Sequence, residues 1–257
     1  MAGVVLGPTI CSFLIAGKKD SIRLGFLMLA AGICFLSILW QVDEMVPFVR
    51  AGDDEDYFKV SLRSFNSLND WFDLGQFKAT HEQAGYPLLL SWVHQLTGDS
   101  RYHRKAVNVF FFLMLAVVWF GIGRLIGGRH RGFVSASGVL MATPLWFYWI
   151  FLFKDMVITF LQSLFILGLV QSLSHKSVLS GYSLVGFSTI ITLPFRSKLA
   201  LVNLLARAGG TLLRAGARRS LTTFAIKIAL TGSLAVIVLV LGTNPKLLQR
   251  LGVAGEH

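Results

Sequence analysis

The sequence predicts an all-α polytopic membrane protein of six or seven transmembrane helices, and three observations carry that prediction. Of 257 residues, 54% are hydrophobic and only 14% are charged, where a soluble domain of this length carries about 25% charged residues. The mean hydropathy is +0.65. Several uninterrupted apolar runs reach the ~20 residues that a ~30 Å hydrocarbon core requires. The bilayer is therefore the expected solvent of residues 1–257, read as a single transmembrane domain.

Residues 1–17 are apolar but lack a basic leading region and a small-residue cleavage site. They are read as a short interfacial or partly inserted segment rather than a signal peptide. The expected spans are 22–41, 105–126, 133–152, 156–173, 178–195, 198–214 and 222–242. The run 198–214 is the poorest of these, because Arg207 lies inside it and Gly209 and Gly210 interrupt it. Residues 84–97 are also apolar, but their length suits a re-entrant or interfacial helix better than a span.

Orientation follows from the bias of Lys and Arg towards cytoplasmic loops. With Lys18, Lys19 and Arg23 inside, alternating crossings also place Arg124, Arg129, Arg131, Lys176, Arg214, Arg218 and Arg219 inside. After Asp20 none of these short loops carries an acid. The opposite, non-cytoplasmic side receives the long loop 42–104, the turns at 153–155 and 194–198, and the C-terminal tail. Ten of the thirteen acidic residues fall in 42–104. So long a loop is usually functional or disordered, and Tyr57, Phe58, Phe65, Trp71, Phe72, Phe77, Tyr86 and Trp92 argue against disorder.

The net charge of +11 does not indicate nucleic acid. The basic residues sit at the ends of apolar runs, where they anchor helices to anionic lipid headgroups. Membrane lipids are the expected partners of that charge. Cys11 and Cys34, the only cysteines, imply neither a disulfide framework nor a metal site.

Three places could do chemistry. Asp53-Asp54-Glu55-Asp56-Tyr57 heads the largest loop. Adjacent carboxylates repel one another and persist only when solvated, paired with cations or bound to a metal. The run is either a solvated acidic turn or a general base with a divalent-cation or phosphate-linked site. Lys154 and Asp155 interrupt an apolar stretch between 133–152 and 156–173. An acid at membrane depth is costly and marks function by default, the plainer account being charges that cap two helix ends. Arg196 and Lys198 follow Pro194 at the next turn on that face. They are headgroup anchors or a phosphate clamp, Arg as a bidentate donor and Lys as a point charge.

All three places fall at one membrane interface, the depth at which a polyprenyl-phosphate sugar presents its headgroup. There a base would deprotonate the acceptor and cations would stabilise the departing phosphate.

The stretches Gly52-Asp53-Asp54-Glu55-Asp56-Tyr57, His81-Glu82-Gln83-Ala84-Gly85-Tyr86-Pro87-Leu88-Leu89-Leu90 and Leu96-Thr97-Gly98 resemble the first non-cytoplasmic loop of GT-C glycosyltransferases. The similar enzymes are the protein mannosyltransferases and the transferases that put aminoarabinose on lipid A. The resemblance, over about residues 20–200, implies a GT-C-like bundle with interfacial helices in loop 42–104. It also implies sugar transfer from a polyprenyl-phosphate donor. By that match Asp53 takes the catalytic position, Asp54 the second acid and Asp155 the acid of the next outward turn. Arg196 matches loosely the residues that contact carrier phosphate, with Lys154 and Lys198 beside it. Some such enzymes bind a metal through a loop His and acids, which makes Asp54, Asp56 and His81 the candidate ligands of a divalent ion.

Family members usually have more spans, and the acidic motif there is usually a pair rather than a run of four. A second expectation therefore stays open. The chain would be a non-catalytic membrane subunit with a partner membrane subunit, or a polysaccharide polymerase or flippase component on a GT-C-like scaffold. His94 is read as interfacial packing, and Trp146, Phe147, Tyr148 and Trp149 as an aromatic belt at the outer interface. Gly121-Ile122-Gly123 and Gly127-Gly128 follow no strand and form no dinucleotide fingerprint.

Overall fold

The computed structural model describes residues 2–16, 18–45, 57–59, 61–62, 85–98, 100–173 and 178–216. Among these the regular structure is entirely helical: α1 (Ala2–Ile15), α2 (Lys18–Met45), α3 (Gly85–Thr97), α4 (Arg101–Leu140), α5 (Thr143–Ile150), α6 (Asp155–Leu173), α7 (Val178–Thr192) and α8 (Ser197–Gly216). Three stretches are long and apolar enough to cross a membrane: Asp20–Met45, Arg101–Leu140 and Asp155–Ser172. Gly3–Phe13 and Leu179–Thr192 are apolar but shorter. The chain is built as a helical membrane protein. The expected span at 222–242 lies outside the described residues.

In α1, fourteen residues reach only about 21 Å. Its hydroxyls bond back into the helix, Thr9 to the Val5 carbonyl and Ser12 to the Thr9 carbonyl, so both are satisfied within it. Val5 of α1 and Leu113 of α4 both pack into the space left by the missing side chain of Gly32 in α2.

The forty residues of α4 are not one rod. Gly128 stands at φ 80° and ψ −173°, a conformation essentially confined to glycine. Beyond it the chain folds back on itself: Phe133 packs edge-on against Phe120, and the Gly132 backbone lies against the Phe120 carbonyl. The pair Gly127 and Gly128 thus makes a helical hairpin, with Arg129 at its tip paired to Asp20 at the start of α2. This agrees with two separate runs at 105–126 and from 133.

The second expected run, 133–152, is not continuous. It breaks at Met141 and Ala142, and α5 restarts with Pro144 in its first turn, where proline's fixed φ suits a helix start. The expected aromatic belt is corrected as well. Trp149 is fully buried and packs with Phe35 and Phe112. Trp146 lies edge-on to Phe35 and donates its indole N–H to the Leu140 carbonyl. Trp149 is core and Trp146 packs at its edge because the break after Leu140 turns this side of α5 inward, while Tyr148 stays exposed.

The first arm of α4 is a wall shared by two apolar clusters. On one side lie α1, α2 and α5 around Phe35, Phe112 and Trp149; on the other lie Tyr57, α3, α6 and Phe195. Between α6 and α7, Gly168 and Gly181 allow backbone contact, since a Cβ on either would fall within 2.8 Å of its neighbour, the close approach typical of small residues in membrane helices. The run expected at 198–214 is helical in α8 and returns along α7. Asn203 and Leu204 are buried and Arg207 stacks 4.8 Å above the Tyr182 ring, while Val202 and Leu205 point outward.

Candidate functional site

The start of α4 holds three fully buried polar side chains, Arg104, Lys105 and Asn108. Ser100 caps the helix, its Oγ accepting the His103 N–H at 3.4 Å. Arg101, Arg104, Lys105 and Asn108 follow at spacings of three and four, which places them along one side of the helix. Arg101 grips Asp43 at the end of α2 bidentately, Nε to Oδ1 at 3.0 Å and Nη2 to Oδ2 at 3.2 Å. Lys105, fully buried, brings Nζ to 2.9 Å from the same carboxylate and lies 5.3 Å from the Phe151 ring centre. Burying an ammonium costs several kcal/mol unless an opposite charge meets it, and Asp43 is that charge.

Arg104 is also fully buried. It donates through Nη1 to Ser61 Oγ at 2.9 Å and the Phe58 carbonyl at 3.4 Å, and its guanidinium lies 4.2 Å above the Phe58 ring. Nη2 is 3.1 Å from His94 Nδ1, which therefore accepts, since a guanidinium only donates. One side chain thus ties the 57–61 stretch, which directly follows the acidic run in sequence, to α3 and α4.

Asn108 Nδ2 reaches three carbonyl oxygens: Tyr148 at 3.1 Å, Phe151 at 2.6 Å and Phe153 at 3.2 Å. Its Oδ1 accepts the Tyr86 hydroxyl at 3.0 Å. Tyr86 in turn packs edge-on against Tyr57, with ring centres 5.1 Å apart. The Gly85 N–H donates to the Pro194 carbonyl at 3.0 Å, and a Cβ on Gly85 would sit 2.9 Å from that carbonyl group. Only glycine lets α3 dock so closely on the turn that precedes Arg196.

The sequence-expected residues fall into three groups. Asp155 and Arg196 come together, Oδ1 to Nη1 at 3.8 Å, with side chains 40% and 51% exposed. Lys154 precedes Asp155 and points its Nζ towards the Tyr57 ring, 6.0 Å from the centre. Lys198 is exposed two residues beyond Arg196 at the start of α8. Asp53, Asp54, Asp56 and His81 lie outside the described residues. Among the described residues no three His, Cys, Asp or Glu side chains gather where a metal ion could be held.

At 3.8 Å and half exposed, the pair of Asp155 and Arg196 adds little stability. Its value is chemical: a half-exposed guanidinium beside a carboxylate, with Lys154 one residue away. Such a set can take a phosphate oxygen on the cations while the acid orients a hydroxyl.

Arg104, Lys105, Asn108 and Asp43 were not singled out by sequence reasoning, and His94 is a hydrogen-bonded partner of Arg104 rather than mere packing. For the three on α4 the sequence offers only a three- and four-residue spacing at the head of an apolar run, which ordinary interfacial anchors share, and for Asp43 it offers none. Comparison of the chain with protein-family models, with curated proteins and with solved structures finds no match.

Proposed function

We propose that the chain is a glycosyltransferase of GT-C-like build. It would move a sugar from a polyprenyl-phosphate donor to an acceptor at the non-cytoplasmic membrane face. The observation that supports this most is the meeting of Asp155 and Arg196 at 3.8 Å next to Lys154, whose ammonium faces Tyr57, the residue that closes the acidic run. In this reading six or seven helices cross, the end bearing Arg124, Arg129 and Arg131 is cytoplasmic, and the opposite end holds the site. Arg196, with Lys154 and Lys198, takes the negative charge that grows on the departing carrier phosphate. Asp53 removes the proton of the acceptor hydroxyl, Asp54 orients it, and Asp155 positions both the acceptor and Arg196.

Transfer from a radiolabelled polyprenyl-phosphate sugar, in membranes holding the full chain, tests the proposal. Replacing Asp53 or Asp54 by Asn, or Arg196 by Gln, should lower transfer about 100-fold or more without lowering the amount of protein. Full transfer by both Asp→Asn variants would remove Asp53 and Asp54 from the mechanism.

A further inference from the structure

The carbonyls that Asn108 binds belong to the end of α5 and the turn after it. The last carbonyls of any helix have no partner within it and must find one elsewhere. Here the partner is an amide from another helix, itself fully buried. Two N–H bonds serve three oxygens, the shortest contact going to Phe151, and so set the path of the chain into Lys154 and Asp155. The same amide accepts from Tyr86, whose neighbour Gly85 holds the Pro194 carbonyl two residues before Arg196. A single side chain therefore stands between the turn that carries the acid and the turn that carries the guanidinium.

We propose that Asn108 is a positioning residue that sets the separation of Asp155 from Arg196, through the 148–153 carbonyls on one side and Tyr86 with Gly85 on the other. Its consequence for sugar transfer rests on the glycosyltransferase reading; the geometric role does not. Arg104, one turn earlier on the same helix, anchors the 57–61 stretch in a parallel way. The head of α4 thereby registers both chain segments that lead to or from candidate acids.

The test uses the full chain in membranes with Cys11 and Cys34 replaced by Ala. One cysteine pair, Asp155→Cys with Arg196→Cys, reports on the site. A second, Asp20→Cys with Arg129→Cys, reports on the opposite end. A short bis-maleimide should join both pairs. Asn108→Asp is isosteric but turns acceptor oxygens towards three carbonyls. It should lower cross-linking of the 155 and 196 pair about fivefold, the population change that goes with one lost hydrogen bond, and leave the 20 and 129 pair unchanged. Asn108→Gln, which keeps both donors, should recover part of the yield.

Tyr86→Phe keeps the ring on Tyr57 and removes only the hydroxyl. It should give a smaller selective fall, and it serves where Asn108→Asp does not accumulate. Unchanged cross-linking at 155 and 196 in these variants would overturn the proposal. So would an equal fall at both ends, which would make Asn108 a residue of general stability. Cross-linking needs no turnover, so a chain that proved inactive in transfer would overturn the proposed function and leave this result standing by itself.

Discussion

The two ends of the helical bundle both hold charges together across helices, but they do so in opposite ways. At one end a buried Asp20 meets Arg129 at the tip of the α4 hairpin, where the arginine is nearly half exposed. At the other, Lys105 and Arg101 converge on Asp43 with the ammonium completely enclosed, and Asn108 and Arg104 extend the network to α3, α5 and the 57–61 stretch. The first arrangement is what positive loop residues at a lipid surface produce unaided. The second carries a desolvation cost that no requirement for anchoring explains. Within that network Asn108 is the member proposed to set the meeting of Asp155 with Arg196, through the 148–153 carbonyls and Tyr86.

The largest expected difference between the ends lies in their acids. Asp43→Ala takes the carboxylate from a buried ammonium and a bidentate guanidinium, and should cost about 3 kcal/mol or more. Thermal unfolding of the purified protein in detergent would read this as a clear fall in Tm. If Asp43→Ala melted with the unaltered protein, the buried network would be dispensable and the contrast between the ends would fail.

A second expectation concerns the hairpin tip. Gly128→Ala places a Cβ on a backbone at φ 80°, and should cost about 1–3 kcal/mol from that strain. Gly138, farther along the same helix, has open space where a Cβ would go. Gly138→Ala should be neutral or slightly stabilising, because alanine loses less backbone entropy on folding. Equal melting temperatures for the two variants would mean that Gly128 is not held in that conformation.

How much of this could be read in advance depends on what kind of signal each residue leaves. Long apolar runs announce helices whatever their packing, so α2, α6, α7 and both arms of α4 are legible as apolar segments. The break before Pro144 was missed because hydropathy stays high through it, although a proline flanked by Thr143 and Leu145 is a helix-start signal. Lys154, Asp155 and Arg196 stood out because a charge inside an apolar stretch is expensive, and the structure brings two of the three into an ion pair. Arg104 and Lys105 could not be told from ordinary interfacial anchors. Their burial depends on Asp43, some sixty residues away in sequence, and on aromatic rings of the 58 and 151 segments. Asn108 is a lone amide whose role exists only through the carbonyls of a turn forty residues later. No local pattern encodes a partner at that distance.

The comparison sharpens further at Arg196. Its pairing with Asp155 is loose and half exposed, so Arg196→Gln should change stability by less than about 1 kcal/mol while removing transfer. A stability loss like that of Asp43→Ala would place Arg196 among the structural charges and take it out of the phosphate clamp.

The smallest effect is expected at the opposite end. Asp20→Asn preserves the shape of the side chain and removes its charge from a contact whose partner is nearly half exposed. The Asp20 side chain is as enclosed as that of Asp43, 13% against 12% exposed, so the difference lies in the cation: a half-exposed arginine keeps its hydration and is screened by salt over about 10 Å at 0.1 M. The fall in Tm for Asp20→Asn should therefore be smaller than that for Asp43→Ala and shrink as salt is raised. The loss in Asp43→Ala should persist, because ions do not reach a fully enclosed Lys105. Raising the salt concentration for both variants in one titration measures the difference between the ends directly. A salt-insensitive loss at Asp20 as large as that at Asp43 would show that the hairpin tip is as enclosed as the head of α4. The case for a single, purposefully buried polar network would then be lost.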